Sequence, residues 1–292
     1  MIRSMWSAVS GLRNHQIYLD VTGNNIANVN THGYKYQRAV FEDSLNQVVR
    51  NAAAPDEANG TGGLNPTQVG LGVRLGQISG NFTQGGLQVT NVPTDVAIQG
   101  DGFFIVQKGD SKFYTRNGAF SLDQNGNLTS SDGSFVMGVM AGDPVATAPD
   151  PASIKLDPTK PTARIKIDTT KWRNFQISPN GMISGVPVAS TDGKIQIIGQ
   201  ISLAKFNNPA GLDRVGGTMF AETLNSGVPQ FHAPNDKANG MGFVTSGTLE
   251  LSNVDLAGEF TNLIMAQRGF QANSKVVSAS DEVLQDLINM KR

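Results

Sequence analysis

Both ends of the chain carry apolar residues at a spacing that a helix gathers onto one face. Toward the C-terminus, Leu263, Phe270, Val277 and Leu284 recur every seven residues, Phe260 and Ile288 extend the row, and Val276, Val283 and Leu287 widen it. Residues 252–292 contain no proline and only two glycines, Gly258 and Gly269. The spacing therefore predicts one long helix with an apolar stripe, the pattern that a coiled-coil partner reads. Gln267, Ser274 and Asp281, which would complete a strict seam, are polar. The seam is thus narrow, and an ordinary two-stranded zipper is not expected. Ser252 or Asn253 is placed to cap the start, and Lys291 and Arg292 stand where the helix dipole favours cations. Near the N-terminus, Met5, Leu12, Leu19 and Ile26 fall at the same interval, and their companions pass from Val9 to Gln16, Gly23 and Asn30. These ten positions, Met5, Leu12, Leu19, Ile26, Phe260, Leu263, Phe270, Val277, Leu284 and Ile288, are the candidate assembly interface.

Burying one apolar side chain is worth roughly 1.5–3 kcal/mol, while ordering each backbone residue costs about 1–2 kcal/mol. A single stripe does not offset that cost for a whole helix, so the termini need packing from elsewhere. A two-helix lid on a globular core would supply it. So would a pair of helices that orders fully only when many copies assemble, and matched stripes at the two extreme ends favour this reading.

At 292 residues the chain is long enough for one or two domains with a proper core. A net charge of −1, with 16% charged residues, argues against a nucleic-acid binder. No apolar run reaches bilayer-spanning length, so membrane insertion is not expected. The first residues lack the long apolar core of a secretory signal. Cysteine is absent, which excludes disulfides and thiol chemistry without fixing the compartment.

Between the two helices the chain is rich in glycine, asparagine, threonine and serine, a composition of turns and short strands. The first helix should end near Ala27, where Asn24, Asn25, Asn28 and Asn30 crowd the last turn and Gly33 follows. Residues 36–49 alternate in a mixed way that suits a strand or a short helix. Residues 51–67 are low in bulky side chains and read as an exposed, mobile linker. Residues 95–106 and 114–128 read as strand–turn–strand units, with Asn125-Gly126 a strong hairpin signal and Gly100 and Gly102 turning the chain just before Phe103 and Phe104. Residues 141–163 carry five prolines and cannot form a central strand. Strands resume at 164–168, 175–185 and 193–206, with a second hairpin turn at Asn180-Gly181.

No constellation for catalysis stands out. His15, His32 and His232 are isolated, without a second ligand at metal spacing. Asp123-x-Asn125-x-Asn127 resembles the start of a calcium loop, but the glycine is misplaced and no closing glutamate follows, so a hairpin turn explains it. Gly100-Asp101-Gly102 lacks the context of a nucleotide loop. Asp95 and Asp101 could pair as in a glycosidase, but nothing sets them across a groove.

Four stretches carry a resemblance. GNNIANVNTHGYK (23–35) is similar to the N-terminal signature of the bacterial flagellar axial proteins, the rod and hook subunits. DVAIQGDGFFIV (95–106) and YTRNGAFSLDQNGNL (114–128) resemble that family's central motifs. SNVDLAGEF, AQRGFQANS and SDEVLQDLINMKR, within 252–292, resemble the terminal helix of its hook subunits. RAVFEDSLNQVVR (38–50) leans instead toward the distal rod subunit. The resemblance implies a short hook-type subunit, with the distal rod as the alternative, and a more remote alternative is an extracellular β-rich binding protein or carbohydrate-active enzyme.

It also implies an α+β fold: paired, coiled-coil-like N- and C-terminal helices (1–33 and 252–292), a connecting segment (34–94) and a single antiparallel β-rich body (95–251). The expected role is mechanical, without catalytic residues, cofactor or metal. The subunit would leave the cell unfolded through the flagellar export apparatus and polymerise into a helical tube that transmits torque. Its partners would be copies of itself and other axial proteins (distal rod, hook–filament junction, hook cap), and its place the extracellular flagellum. The segment 51–67 is the expected site of compliance between layers.

Overall fold

The computed structural model describes residues 2–55, 62–141, 163–188 and 195–290. Residues 142–162 of the proline-rich stretch, 56–61 of the expected linker, and Lys291 and Arg292 lie outside the described residues. The chain divides into two compact units, one made of Met1–Ala27, Gln37–Gly80 and Asp255–Arg292, the other of Asn28–Tyr36 and Asn81–Val254.

The first unit is built on two helices, α1 (Ile2–Ala27) and α2 (Leu256–Met290). They run antiparallel: Asn25 meets Glu259, and Gly11 faces Asn273 farther along. With 26 and 35 residues, they leave about two turns of α2 running past the start of α1. The start of α2 differs from expectation. Asp255 caps it, its carboxylate accepting the Ala257 N–H at 3.1 Å. Asn253 instead binds Tyr36 N–H through its oxygen and the carbonyls of Asn81 and Thr83 through its amide.

The segment expected to connect the layers is itself folded. β1 (Gln37–Asp43) pairs antiparallel with β4 (Val73–Gly80), and β2 (Asn46–Arg50) with β3 (Thr67–Gly70), in one long ribbon with a bulge at Val40/Phe41. An Ala53↔Leu64 bridge carries the pairing further. The described flanks of 51–67 are therefore arms of a hairpin. Its base packs on α1, where Tyr18 meets Phe41 edge to face at 5.8 Å and Ser10 Oγ accepts the Val73 N–H. A strand whose partner lies some thirty residues away leaves only a mixed local alternation, which is why the ribbon reads as a linker.

The second unit is β throughout. After β5 (Leu87–Val89) and β6 (Val96–Gln99), the hairpin of β7 (Phe103–Lys108) and β8 (Ser111–Thr115) leads to β9 (Phe120–Leu122), β10 (Leu128–Ser130) and β11 (Phe135–Met140). Among the described residues, its main sheet runs from Trp172–Ile177 through Met182–Pro187, Gln196–Ile201, β11, β7 and β8 to Met219–Ala221 and Asp213–Gly216. All its pairings are antiparallel.

β7 explains the unbroken apolar run of residues 103–106. Phe104 and Val106 enter one core with Ile98, Phe120, Leu128, Ile165 and Ile201, while Phe103 and Ile105 enter another with Tyr114, Phe206 and Phe220. A strand covered on both faces loses its polar alternation. The Asp123 carboxylate accepts the N–H groups of Asn125 and Asn127 and the Asn127 side-chain amide at 2.8–2.9 Å, which closes the β9–β10 hairpin.

Candidate assembly surfaces

The face that α1 turns to α2 is small and polar. Ala8, Gly11, Asn14, Val21, Thr22 and Asn25 are its buried residues, opposite Glu259 and Ala266. A Cβ on Gly11 would lie 2.8 Å from the Asn273 amide, and one on Gly269 would overlap the His15 ring. The backbones approach closely because nothing larger stands between them. The expected seam is accordingly displaced. Gln267, Ser274 and Asp281 are exposed, and the line that faces α1 runs one residue earlier, through Ala266, Asn273 and Ser280.

The ten stripe residues divide. Met5, Leu12, Leu19, Ile26, Leu263, Val277 and Leu284 are half-buried along the edges of this seam, whereas Phe260, Phe270 and Ile288 are exposed. Phe260 is 52% and Ile288 67% accessible, and Leu256, Ile264, Met265, Val276, Val283 and Leu287 are exposed with them. One chain therefore leaves large apolar side chains of α2 uncovered along both sides of the seam. The distal ribbon does the same, with Leu45, Val48, Val49, Leu64, Val69 and Leu71 all exposed. Two-stranded ribbons of this kind are marginal alone and need a covering surface.

Each unit also holds a polar hub. In the first unit, Asn25 donates to Glu259 Oε2 at 2.9 Å and to the Gln37 carbonyl at 2.8 Å, and accepts the Gln37 N–H. Glu259 takes a second amide from Asn262. One asparagine thus joins the end of α1, the first turn of α2 and the start of the ribbon. Burial, and then the charge of Glu259, push the nearby Tyr18 phenol up.

In the second unit, the fully buried Lys35 and Glu250 pair at 2.6 Å, and Lys35 also donates to the Thr83 carbonyl. Glu250 accepts the Gly85 N–H as well. Arg116 approaches Glu250 Oε2 at 3.5 Å, an ion pair too long to be an aligned hydrogen bond. Burial pushes both cations down, Lys35 and Arg116 alike, against the pull of Glu250. Gly33 makes the approach possible. It sits at φ +70°, its N–H donates to the Glu250 carbonyl, and a Cβ there would strike the backbone of Arg116 and Asn117. Arg214 closes the other side, over the Tyr34 ring and bonded to the Lys35 carbonyl.

Sequence comparison meets this geometry. The profile described as flagella basal body rod protein matches residues 5–35, that of the flagellar hook protein FlgE/F/G D1 domain 97–185, and that of the flagellar basal body rod FlgEFG protein C-terminal 245–290. The flagellar basal-body rod protein FlgG of Bacillus subtilis is 42% identical over the whole of both chains. The chain belongs to the FlgE/F/G family of flagellar rod and hook proteins. It is a structural subunit of the bacterial flagellar axis. The FlgG of Buchnera aphidicola from Acyrthosiphon pisum is 38% identical across 98% of this chain and 99% of its own, and the flagellar hook protein FlgE of Borreliella burgdorferi 29% identical across all of both.

Within this FlgE/F/G subunit, Lys35, Arg116 and Glu250 come one from each matched segment, and Asn25 and Glu259 come from the first and last. Sequence reading quoted Lys35, Arg116, Glu250 and Glu259 as motif letters without a role, and read Asn25 only as part of the stop of the first helix. The signal present was buried-type geometry around charge: a glycine beside Lys35, and a glutamate in the β-patterned TLEL. Among the described residues no group of three or more His, Asp or Glu is placed to hold a metal, and no helix is long and apolar enough to cross a membrane.

Proposed function

We propose that the chain is the distal-rod type of axial subunit, polymerising into the tube that carries torque outward from the motor. The observation that carries this reading is collinearity. Relatives named FlgG align over 287–293 positions at 34–42% identity, whereas hook relatives align over 448 and 470 positions at 29% and 27%. The hook proteins therefore hold long stretches with no counterpart here. The hook-like motifs of α2 are common ground between the two types and do not separate them.

The uncovered apolar side chains of α2 and the exposed ribbon support polymerisation through copies of the same chain. Phe260, Phe270 and Ile288 form the outward half of the interface, and Met5, Leu12, Leu19, Ile26, Leu263, Val277 and Leu284 its shoulders. A contact between different patches whose rotation does not close generates an open helical tube. Export in an unfolded state and contacts with neighbouring axial proteins complete the proposal. Deleting the gene and imaging the basal bodies tests it. A rod that ends short, inside the cell envelope, is expected. A completed rod lacking only the hook would move the assignment to a hook subunit.

A further inference from the structure

The second unit contains a cavity of about 250 Å³ that no assembly role requires. Phe82, Phe103 and Phe206 wall it, and its charged members are Arg116, Lys205 and Asp101. Arg116 is only 3% exposed, and its Nε and Nη1 have no hydrogen-bond acceptor. The nearest carboxylate oxygen, on Glu250, is 3.5 Å away and is shared with Lys35 through the same side chain. Two buried cations thus divide one carboxylate. Lys205 Nζ donates to the Asn239 carbonyl at 2.8 Å, which fixes its position at the cavity. The Arg116 guanidinium lies 5.2 Å from the Phe103 ring centroid, so the cation and the aromatic wall are adjacent.

We propose that this cavity binds a carboxylate carried on a short apolar stem. The carboxylate would meet Arg116 and Lys205, and the stem would lie against the three phenylalanines. A guanidinium is the side chain best matched to a carboxylate, and the adjacent aromatic rings give the stem an apolar surface. Asp101, exposed at the same cavity, competes for the two cations.

The test is an NMR titration of the full-length monomer with sodium propionate, with sodium chloride at matched ionic strength as control, following the Gly102 and Phe103 amides and the Arg116 Nε–H. Saturable shifts specific to propionate are expected. Lys205→Met should weaken binding about threefold, and Asp101→Asn should tighten it about threefold. Absent or non-saturable shifts, equal shifts with chloride, or weaker binding in Asp101→Asn would overturn the site. Two sources share this chemistry, a free short-chain acid and an acidic side chain of a neighbouring subunit. The second rests on the polymer reading. Propionate that binds monomer but is shut out of assembled protein supports the neighbour's side chain, and equal binding to both supports the free acid. The monomer titration stands even if the polymer reading fails.

Discussion

The helix pair and the β unit solve the same problem with opposite materials. The β unit buries two phenylalanine- and isoleucine-rich cores, on both faces of β7. The helix pair closes over Gly11, Ala8, Ala266, Gly269 and a row of asparagines, and leaves its large apolar residues outside. Stability within one chain therefore concentrates in the β unit, while the helices leave much hydrophobic surface uncovered. The charged hubs follow the same division: Lys35–Glu250–Arg116 is an ion cluster in a dry interior, and Asn25–Glu259 is an amide–carboxylate clasp between helices.

The contrast can be broken most severely at Glu250. Glu250→Ala strands Lys35 and Arg116 as buried charges and should destabilise the β unit by about 3–5 kcal/mol. Denaturant unfolding followed by the near-ultraviolet signal of Trp172, which lies in that unit's core, reads this directly. A loss under 1 kcal/mol would show that the cluster is not the clasp described. In the helix pair, Gly269→Val forces a side chain into His15 and should cost about 1–3 kcal/mol, by overpacking. Helical circular dichroism should fall while the Trp172 signal keeps its midpoint; a shared loss would erase the distinction between the units. Asn25→Ala leaves Glu259 short of a donor and should cost about 1–2 kcal/mol, read as faster hydrogen exchange at Gln37 and in the first turn of α2. Phe270→Asp should shift monomer stability by no more than about 0.5 kcal/mol, as exposed sites do, yet abolish polymerisation measured by sedimentation. Normal polymers from this variant would remove the uncovered side chains of α2 from the interface.

The smallest effect concerns pH. Hydrogen bonds from Asn127 hold the Asp123 carboxyl below its ordinary range. A depressed folded value means that its contribution is complete above the unfolded pKa of about 3.9 and is lost as pH falls through the folded value. The β9–β10 turn should loosen only in that acid window, and Asp123→Asn should remove the dependence. Amide shifts of Gly126 across pH 2–6 would record it.

Much of this was legible from the chain. The two terminal helices and the end of α1 at Ala27 follow from heptad spacing and the asparagine-rich stop, and the hairpins at Asn125-Gly126 and Asn180-Gly181 follow from their turn residues. The ribbon was legible only in part: residues 36–49 suit a strand or a short helix, but the pairing between residues 37–50 and 67–80 is non-local and left 51–67 reading as a linker. The true helix seam was also hidden. Periodicity marks where large apolar residues stand, whereas close helix packing is marked by small ones, and Gly11 and Gly269 carry that message without adding to any hydrophobic count. Glu250 and Lys35 look like ordinary surface charges until the fold brings 215 residues of separation down to one hydrogen bond.

Gly33 and Glu250 have a wider consequence. The first segment of the β unit and its last are bonded to each other there, at Gly33 N–H to Glu250 O and again at Tyr36 to Asn253. The first and last segments of the unit are thus tied to each other through one left-handed glycine and one buried carboxylate. A loop of the unit can lengthen or shorten without parting those two segments. The difference between a hook relative aligned over 448 positions and a rod relative aligned over 293 is of the kind that such loops can absorb.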